Sequence, residues 1–391
     1  MVSKFPLIQV TRRELSRISK EGASYFVVFF GPLFAFLLIS SIFYSGVPRN
    51  LPVAVVDLDH SDISRKAARM TDATPIAAIS RSFISLEEAH KAMEKGKVDA
   101  ILYIPQGTEK NILKGGSSSV ALYINNANII QGSLLTSGIQ KALGTLSAGI
   151  QLQKHLQSGE TSDQAMAQII PVQLHSDVLF NPFISYAYFI TLILLPVTLT
   201  VFTLFGTLYA IGTELQYSTC TQWLEMADHS IVIALLGKLL PYTLCYCLVA
   251  ACMNLDLFYF MGLPLKGSLS ILILSEFLLI LSYQAMAIVF ITLTANMRLA
   301  LSLASAYTML AITYAGFTFP VFGMPAFGQV FSRIFPVSYW VAIFEGQSLR
   351  AEPWANSFAG MNCLVGFIVF GCLFIPQLKN VLMNKKYWWK I

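Results

Sequence analysis

The chain has 391 residues, of which 55% are hydrophobic and only 12% charged, where an ordinary soluble domain has about 25% charged residues. That balance excludes a soluble globular protein and assigns the chain to the membrane. The net charge of +5 does not point to nucleic acid, because the basic residues lie beside apolar runs and near the two ends rather than on a polar domain.

In chain order, residues 1–23 form a basic amphipathic lead carrying Lys4, Arg12, Arg13, Arg17 and Lys20. Residues 24–45 follow as the first span, built on the apolar run Ser24 to Tyr44. About 20 such residues cross roughly 30 Å of hydrocarbon. The run is too long for a signal peptide and lacks a small-residue cleavage site.

Residues 46–181 read as a separate domain. Pro52 to Asp57 predicts a buried strand, and Ser61 caps the helix after it. Ser85 and Glu88 make a capping box before a helix that ends near Gly96. Val98 to Pro105 and Ser118 to Asn125 return as strands, so the alternation predicts a small α/β domain. From Ala127 the apolar spacing predicts one long helix, and Val172 to Phe180 a strand leading back to the membrane. Asp57, Asp59, His60 and Asp62 resemble metal or phosphate ligands, but at a strand-to-helix junction Asp and Ser are ordinary turn and cap residues, and no metal site is assigned.

Residues 182–378 contain five more apolar runs: Tyr186 to Ile211, Ile231 to Met261, Leu269 to Thr294, Leu299 to Phe319 and Met361 to Pro376. The prediction is an α-helical membrane protein with six transmembrane helices plus an α/β extracytoplasmic domain between helices 1 and 2. An even count puts both ends on one side. The basic lead and Lys379, Lys385, Lys386 and Lys390 in the 379–391 tail make that side cytoplasmic. Tyr387, Trp388 and Trp389 predict an interfacial anchor. On this topology the hinge 213–230 and the turn at Asn296, Met297 and Arg298 face the cytosol, while 46–180 and 320–358 lie outside.

The hinge is rich in Glu, Asp and Trp for so apolar a chain. Between Phe317 and Trp340, Pro and Gly interrupt any span, and irregular backbone at membrane depth survives only where protein or a cavity covers it. Residues 320–345 therefore read as a re-entrant hairpin closing the outer end of a pathway. Phe319, Pro320, Phe322, Met324, Pro325, Phe335 and Pro336 are the candidate gate; an outer loop with interfacial aromatics is the other reading. Two acidic residues fall within spans. Asp256, near an outer end, suits interfacial water, whereas Glu276 lies deeper and suits a proton path, a polar substrate contact or a helix-to-helix hydrogen bond.

No G-x-x-x-x-G-K-[ST] motif occurs, so the chain holds no nucleotide by a P-loop, and ATP with Mg belongs to another chain. Nor is there a G-x-S-x-G elbow, an H-E-x-x-H helix or a carboxylate pair with a matching His, and no enzyme is predicted. The six cysteines, Cys220, Cys245, Cys247, Cys252, Cys363 and Cys372, all lie in spans or the hinge, so the outer domain owes nothing to disulfides. Cys245 and Cys247 do not share a helical face, which argues against zinc.

With these residues in view, the chain resembles the membrane subunit of an ABC type-2 (ABC-2) exporter, in the branch with a large extracytoplasmic domain after the first span. The resemblance runs from about Val53 to the C-terminus. It rests on Val56, Asp57, Asp59, Ser64 and Arg65; on Val98 to Pro105 with Gly115 and Asn125 to Asn128; on the hinge with Gly237, Lys238, Pro241 and Tyr242; and on Phe317 to Trp340 with Glu345 and Gly346. In the hinge, Ser218 and Thr219 stand where the family usually shows a Gly-Thr pair, and Ala227 falls near an expected Pro.

The resemblance implies a second permease copy or a sister permease, with a pathway between the two, and two cytosolic ABC ATPase subunits gripping residues 213–229 and the N-terminal helix. Glu214, Gln216, Tyr217, Ser218, Thr219, Trp223, Leu224, Glu225, Asp228, Gly237, Lys238 and Pro241 are then the coupling candidates. Their acids suit a basic groove and Trp223 with Leu224 an apolar pocket, unless these groups merely solvate a loop. Also implied are an inner-membrane location, a periplasmic adaptor with an outer-membrane channel, and hydrophobic or amphipathic cargo such as drugs, lipids or lipid-linked glycans. A membrane-anchored receptor or assembly scaffold is the alternative.

Overall fold

The computed structural model describes residues 5–44, 46–169, 185–317 and 319–388. They divide into two compact units, one of residues 1–46 with 179–391 and one of residues 47–178. The expected strand Val172 to Phe180 lies outside the described residues, as do Trp389 and Lys390 of the tail.

The first unit opens with α1 (Pro6–Lys20), which starts on a proline whose missing N–H costs nothing at a helix N-terminus. One stripe of α1, Val10, Glu14 and Ile18 at four-residue spacing, is buried. After Glu21 in extended backbone the chain enters α2 (Gly22–Phe43). A π-helical turn at Phe26–Phe30 sits directly before Gly31 and Pro32; a widened turn accommodates a residue that can neither donate nor tolerate a normal preceding turn.

The second unit is a four-stranded sheet of order β2-β1-β3-β4, formed by β1 (Leu51–Asp57), β2 (Ala77–Ser82), β3 (Ala100–Ile104) and β4 (Ala121–Ile124). β1 runs parallel to β2 and β3, and β4 is antiparallel to β3. Its helices are α3 (Asp62–Asp72), α4 (Leu86–Glu94), α5 (Thr108–Leu113), α6 (Ile129–Gln157) and α7 (Ser162–Ile169). Side chains of β1 alternate between two cores. Val53 and Val55 pack with Ala67 of α3 and Leu135 and Ile139 of α6, while Ala54 and Val56 pack with Ala89 and Ala92 of α4. Ser61 and Ser85 cap α3 and α4 by accepting from the N–H groups of Ser64 and Glu88. Strand β2 has no counterpart among the expected strands, because only its first residue is fully buried and its last three are exposed, leaving almost no apolar signal. Helix α6 is 29 residues, about 43 Å at 1.5 Å per residue.

The chain returns to the first unit through α8 (Tyr186–Gln216). Thr200, Thr203 and Thr207 in α8 are buried and donate to carbonyls three or four residues back, which satisfies their hydroxyls without water. Next come α9 (Cys220–Met226), α10 (Ile231–Leu255, continued by a π-helical turn at Asp256–Phe260) and α11 (Leu269–Thr294). Helix α11 is the central element: it packs on α8, on α10 and on the helices that follow. Ala295 in left-handed backbone and the Asn296 cap, which accepts from Leu299 N–H, make a tight turn into α12 (Met297–Tyr314). The remaining helices are α13 (Ala326–Ser332), α14 (Pro336–Glu345), α15 (Trp354–Cys372) and α16 (Ile375–Met383).

Among the described residues five helices are long and apolar enough to cross a membrane: Gly22–Phe43, Ile190–Gln216, Ile231–Phe260, Leu269–Thr294 and Trp354–Met383. The expected span Leu299 to Phe319 takes the form of α12, which has 18 residues and stops at Tyr314. Gly316 follows with a φ of +95°, a conformation no helix continues.

Candidate functional site

A lysine inside an apolar helix needs an anion, and Lys238 in α10 has two. Its Nζ, fully buried, donates to Glu214 Oε1 at the C-terminal end of α8 and to Glu14 Oε2 on α1, both at 2.7 Å. Tyr242, one turn further along the same face of α10, donates its hydroxyl to Glu14 Oε1 at 2.9 Å. Arg13 reaches Glu214 Oε2 at 3.1 Å, and Arg17 reaches Glu214 Oε1 at 3.4 Å and Glu21 at 3.2 Å. Thr219 and Thr213 complete the shell, donating to Glu214 and accepting from Arg17 respectively. The network joins Arg13, Arg17 and Lys238 to Glu14, Glu21 and Glu214, three cations to three anions. Charges taken out of water are tolerable only when matched in this way.

The cluster is also where α1 comes closest to α10. A Cβ on Gly237 would lie 2.8 Å from Val10 Cβ and 3.1 Å from the Leu7 carbonyl oxygen, so only glycine permits the approach. Pro241, one turn on, is buried in the same helix and offers no N–H to the Gly237 carbonyl.

Between α8 and α10 the chain folds as a helix flanked by left-handed residues. Ser218 has a φ of 56°, and Asp228 and His229 have φ of 53° and 57°. These reversals turn α9 back so that one face packs inward. Trp223 is fully buried there; its indole N–H donates to the Ala234 carbonyl of α10 at 3.2 Å, and its ring lies 5.0 Å from Lys238 Nζ. Leu224 and Cys220 are buried beside it. Burial pushes the Cys220 thiol up to about 12, leaving a thiolate fraction of about one in ten thousand at pH 8. A maleimide at pH 8 is therefore expected to leave Cys220 unmodified in the folded chain and to modify it after denaturation, as read by peptide mass; equal rates in both states would show that α9 is not packed this way.

The sequence-derived coupling residues thus fall into two groups. Glu214, Trp223, Leu224, Gly237, Lys238 and Pro241 are internal, contrary to the expectation that Glu214, Trp223 and Leu224 present themselves to another protein. The reason is that α9 and α1 close over them. Facing outward are Tyr217, Glu225 and Asp228, joined by Gln222 and His229. Gln216, Ser218 and Thr219 are half-buried between. Lys379 of α16 donates to the His229 carbonyl at 2.9 Å and ties the C-terminal helix to the same turn. Glu14, which the sequence reading missed as a site residue, was detectable as an acid on the apolar stripe of α1.

The candidate gate separates in the same manner. Phe319 and Phe322 are exposed, whereas Met324, Phe335 and Pro336 are buried. The Phe335 ring lies tilted 5.0 Å from that of Tyr307 of α12 and edge-to-face 5.5 Å from that of Phe331 of α13, and the Tyr307 hydroxyl donates to the Ile334 carbonyl. Pro320 and Pro325 lead into a 3-10 turn and α13. In place of one span stand two short helices, α13 and α14, broken at Arg333, Ile334 and Phe335. Asp256 accepts from Ser40 of α2, and Glu276 of α11 accepts from Asn254 of α10 at 2.7 Å.

In the Asp57 to Asp62 cluster, Asp57 and Asp59 are engaged by backbone N–H groups and a serine hydroxyl. Asp57 accepts from the N–H groups of Asp59 and His60 and from Ser64 Oγ, and Asp59 accepts from the N–H groups of Gly107 and Glu109. The hydrogen bond associated with Ser61 and those from the Gly107, Thr108 and Glu109 backbone hold Asp59 below the usual carboxylate range.

Several helices of spanning length, a sheet-bearing unit inserted after the first of them, and an amphipathic helix ion-paired to the facing ends of two spans fit a membrane subunit of a transporter. Residues 23–375 match the ABC-2 family transporter proteins, and the chain belongs to that family. It is 25% identical over 273 residues, 68% of each chain, to the protein called probable multidrug ABC transporter permease YbhS of Escherichia coli strain K12; the protein of the same name from Escherichia coli O157:H7 aligns with the same figures. Members of this family are the membrane subunits of transporters, not the ATPases, and membership implies association with an ABC ATPase subunit.

Proposed function

We propose that the chain is the permease of an ATP-driven exporter and that the outward face of α9 is where the ATPase pushes. The observation that carries this is the buried ion cluster. It locks α1, the end of α8 and the start of α10 into one piece, with the Trp223 side of α9 packed onto it, so force applied to α9 moves two spanning helices together. Tyr217, Glu225 and Asp228 on the free face supply an aromatic anchor and two carboxylates for a basic groove.

In this reading both termini and α9 are cytosolic and the sheet-bearing unit lies outside the inner membrane. Two permeases pair around the pathway, and α13 with α14 form the re-entrant closure at its outer end. ATP and Mg reside on the partner. The multidrug designation of the YbhS relatives supports hydrophobic or amphipathic cargo, and an adaptor with an outer-membrane channel would engage the outer unit.

Charge reversal tests the coupling face. The Glu225→Arg, Asp228→Arg double variant is expected to lower ATPase stimulation by the permease at least about tenfold, the scale of two lost interfacial charge contacts. Its thermal midpoint should fall by no more than about 2 °C, because both side chains are exposed and the one cost is Arg in place of Asp at the left-handed position 228. Full stimulation in this variant, or no association with any ABC ATPase, would overturn the proposal in favour of a scaffold or receptor.

A further inference from the structure

Between α10 and α11 runs a groove of about 850 Å³, lined by Ala250, Asn254, Phe258, Ile273, Glu276 and Phe277 among others. This volume is within the range of small-molecule sites, about 300–1,000 Å³. Glu276 is the single charged residue among those lining it, and it is 2% exposed.

The polar atoms at the wall are incompletely paired. Asn254 Nδ2 donates to Glu276 Oε2 at 2.7 Å, while Glu276 Oε1 and Asn254 Oδ1 are buried without a partner. While Glu276 is ionised it can only accept, so the amide turns its NH2 toward it, and that choice leaves the amide's own oxygen unmatched. Two acceptors are therefore buried at this wall with no donor between them, and Cys247, Tyr259 and Ser270 are the other polar residues lining the groove. A group with at least two N–H donors and a positive charge completes both. A zwitterionic lipid headgroup fits less well, because its phosphate would need a cation and none of the lining residues is Lys or Arg. The rim is apolar and open: Leu255, Tyr259 and Ile273 are 55%, 76% and 53% exposed. A molecule dissolved in the bilayer would reach the site from the side.

We propose that this groove binds a membrane-partitioned organic amine, with its ammonium donating to Glu276 Oε1 and Asn254 Oδ1 and its apolar body lying along Phe258, Ile273 and Phe277. The site names a cargo class for the transport proposed above and rests on that reading only for the export step; binding requires no ATPase.

The test uses the full chain in nanodiscs of phosphatidylcholine and phosphatidylglycerol, with dodecylamine carrying a mid-chain diazirine as the probe and the matching alcohol as its control. Photolabelling of residues 247–280, located by mass spectrometry, is expected to be about fivefold stronger for the amine than for the alcohol and to fall about tenfold in Glu276→Gln, as a charge-assisted contact becomes a neutral one. Asn254→Leu, which removes one acceptor and keeps the carboxylate, is expected to reduce amine labelling severalfold and provides a readout if Glu276→Gln fails to fold. Equal labelling by amine and alcohol would reduce the groove to an apolar crevice and overturn the proposal. So would labelling indifferent to both substitutions, displacement of the probe by phosphatidylethanolamine, or labelling that vanishes when two copies associate. Should amine labelling follow these expectations while ATP-driven amine export is absent, the export reading alone would fall.

Discussion

Lys238→Met is expected to destabilise the membrane unit by about 3–5 kcal/mol, the cost of leaving buried carboxylates without their cation. Glu14 and Glu214 are 1% and 0% exposed and each lies 2.7 Å from the ammonium. Removing it leaves three anions facing two arginines, and neither Arg13 nor Arg17 approaches either carboxylate as closely. The thermal midpoint of the detergent-solubilised chain should fall by roughly 6 °C or more. Adding Glu14→Gln to Lys238→Met restores the charge balance and is expected to recover part of the loss, because the penalty comes from unmatched charge rather than lost volume. A midpoint within a degree or so of the parent, or a loss that Glu14→Gln deepens instead of relieving, would mean that the cluster does not hold α1 in place.

Trp223→Ala should cost a similar amount, about 3–5 kcal/mol, for a different reason. The indole is fully buried, so its removal leaves a cavity between α9 and α10, deletes the hydrogen bond to the Ala234 carbonyl and takes the aromatic face away from Lys238. Trp223→Phe keeps most of the packing and a ring near the ammonium, and it is expected to lose only about 1 kcal/mol, the worth of one hydrogen bond. Thermal unfolding of the two variants beside the parent gives the comparison. If Trp223→Ala instead abolished ATPase stimulation with an unchanged midpoint, the indole would be a docking anchor and not a packing residue. Charge reversal at the exposed pair Glu225 and Asp228 is expected to give the opposite pattern, with coupling reduced and stability nearly unchanged. Combining a Trp223 and a Glu225 substitution in one variant would confuse the two effects.

Much of this architecture could be read from local patterns. Long apolar runs located five of the six expected spans as helices long and apolar enough to cross a membrane, because a helix in hydrocarbon satisfies its own backbone and needs only apolar side chains to stay there. Strands β1, β3 and β4 and the caps at Ser61 and Ser85 were equally visible, since each depends on residues adjacent in sequence. Strand β2 was not, because a half-exposed edge strand carries little apolar alternation. The expected span ending at Phe319 ran five residues past the actual helix, since apolarity continues through Phe317 while the left-handed Gly316 has already ended α12.

For the candidate site the division is sharper. Composition alone marked 213–230 as exceptional, and the family resemblance placed Lys238 with it among the coupling candidates, but nothing local showed that this lysine is buried against an anion. Which anion was beyond local reading: Glu14 is 224 residues away in sequence and Glu214 is 24. Glu214 and Glu225 are the same residue type in the same hinge, yet one is sealed under α1 and the other faces out. What the sequence by itself determined was the class of protein, its helices and the presence of a polar hinge, all of which follow from nearest-neighbour chemistry and the length of apolar runs. Only the tertiary structure decided which side of that hinge is free to meet a partner, because burial is settled by helices brought together from distant parts of the chain, and here the closure of α1 over α8 and α10 settles it.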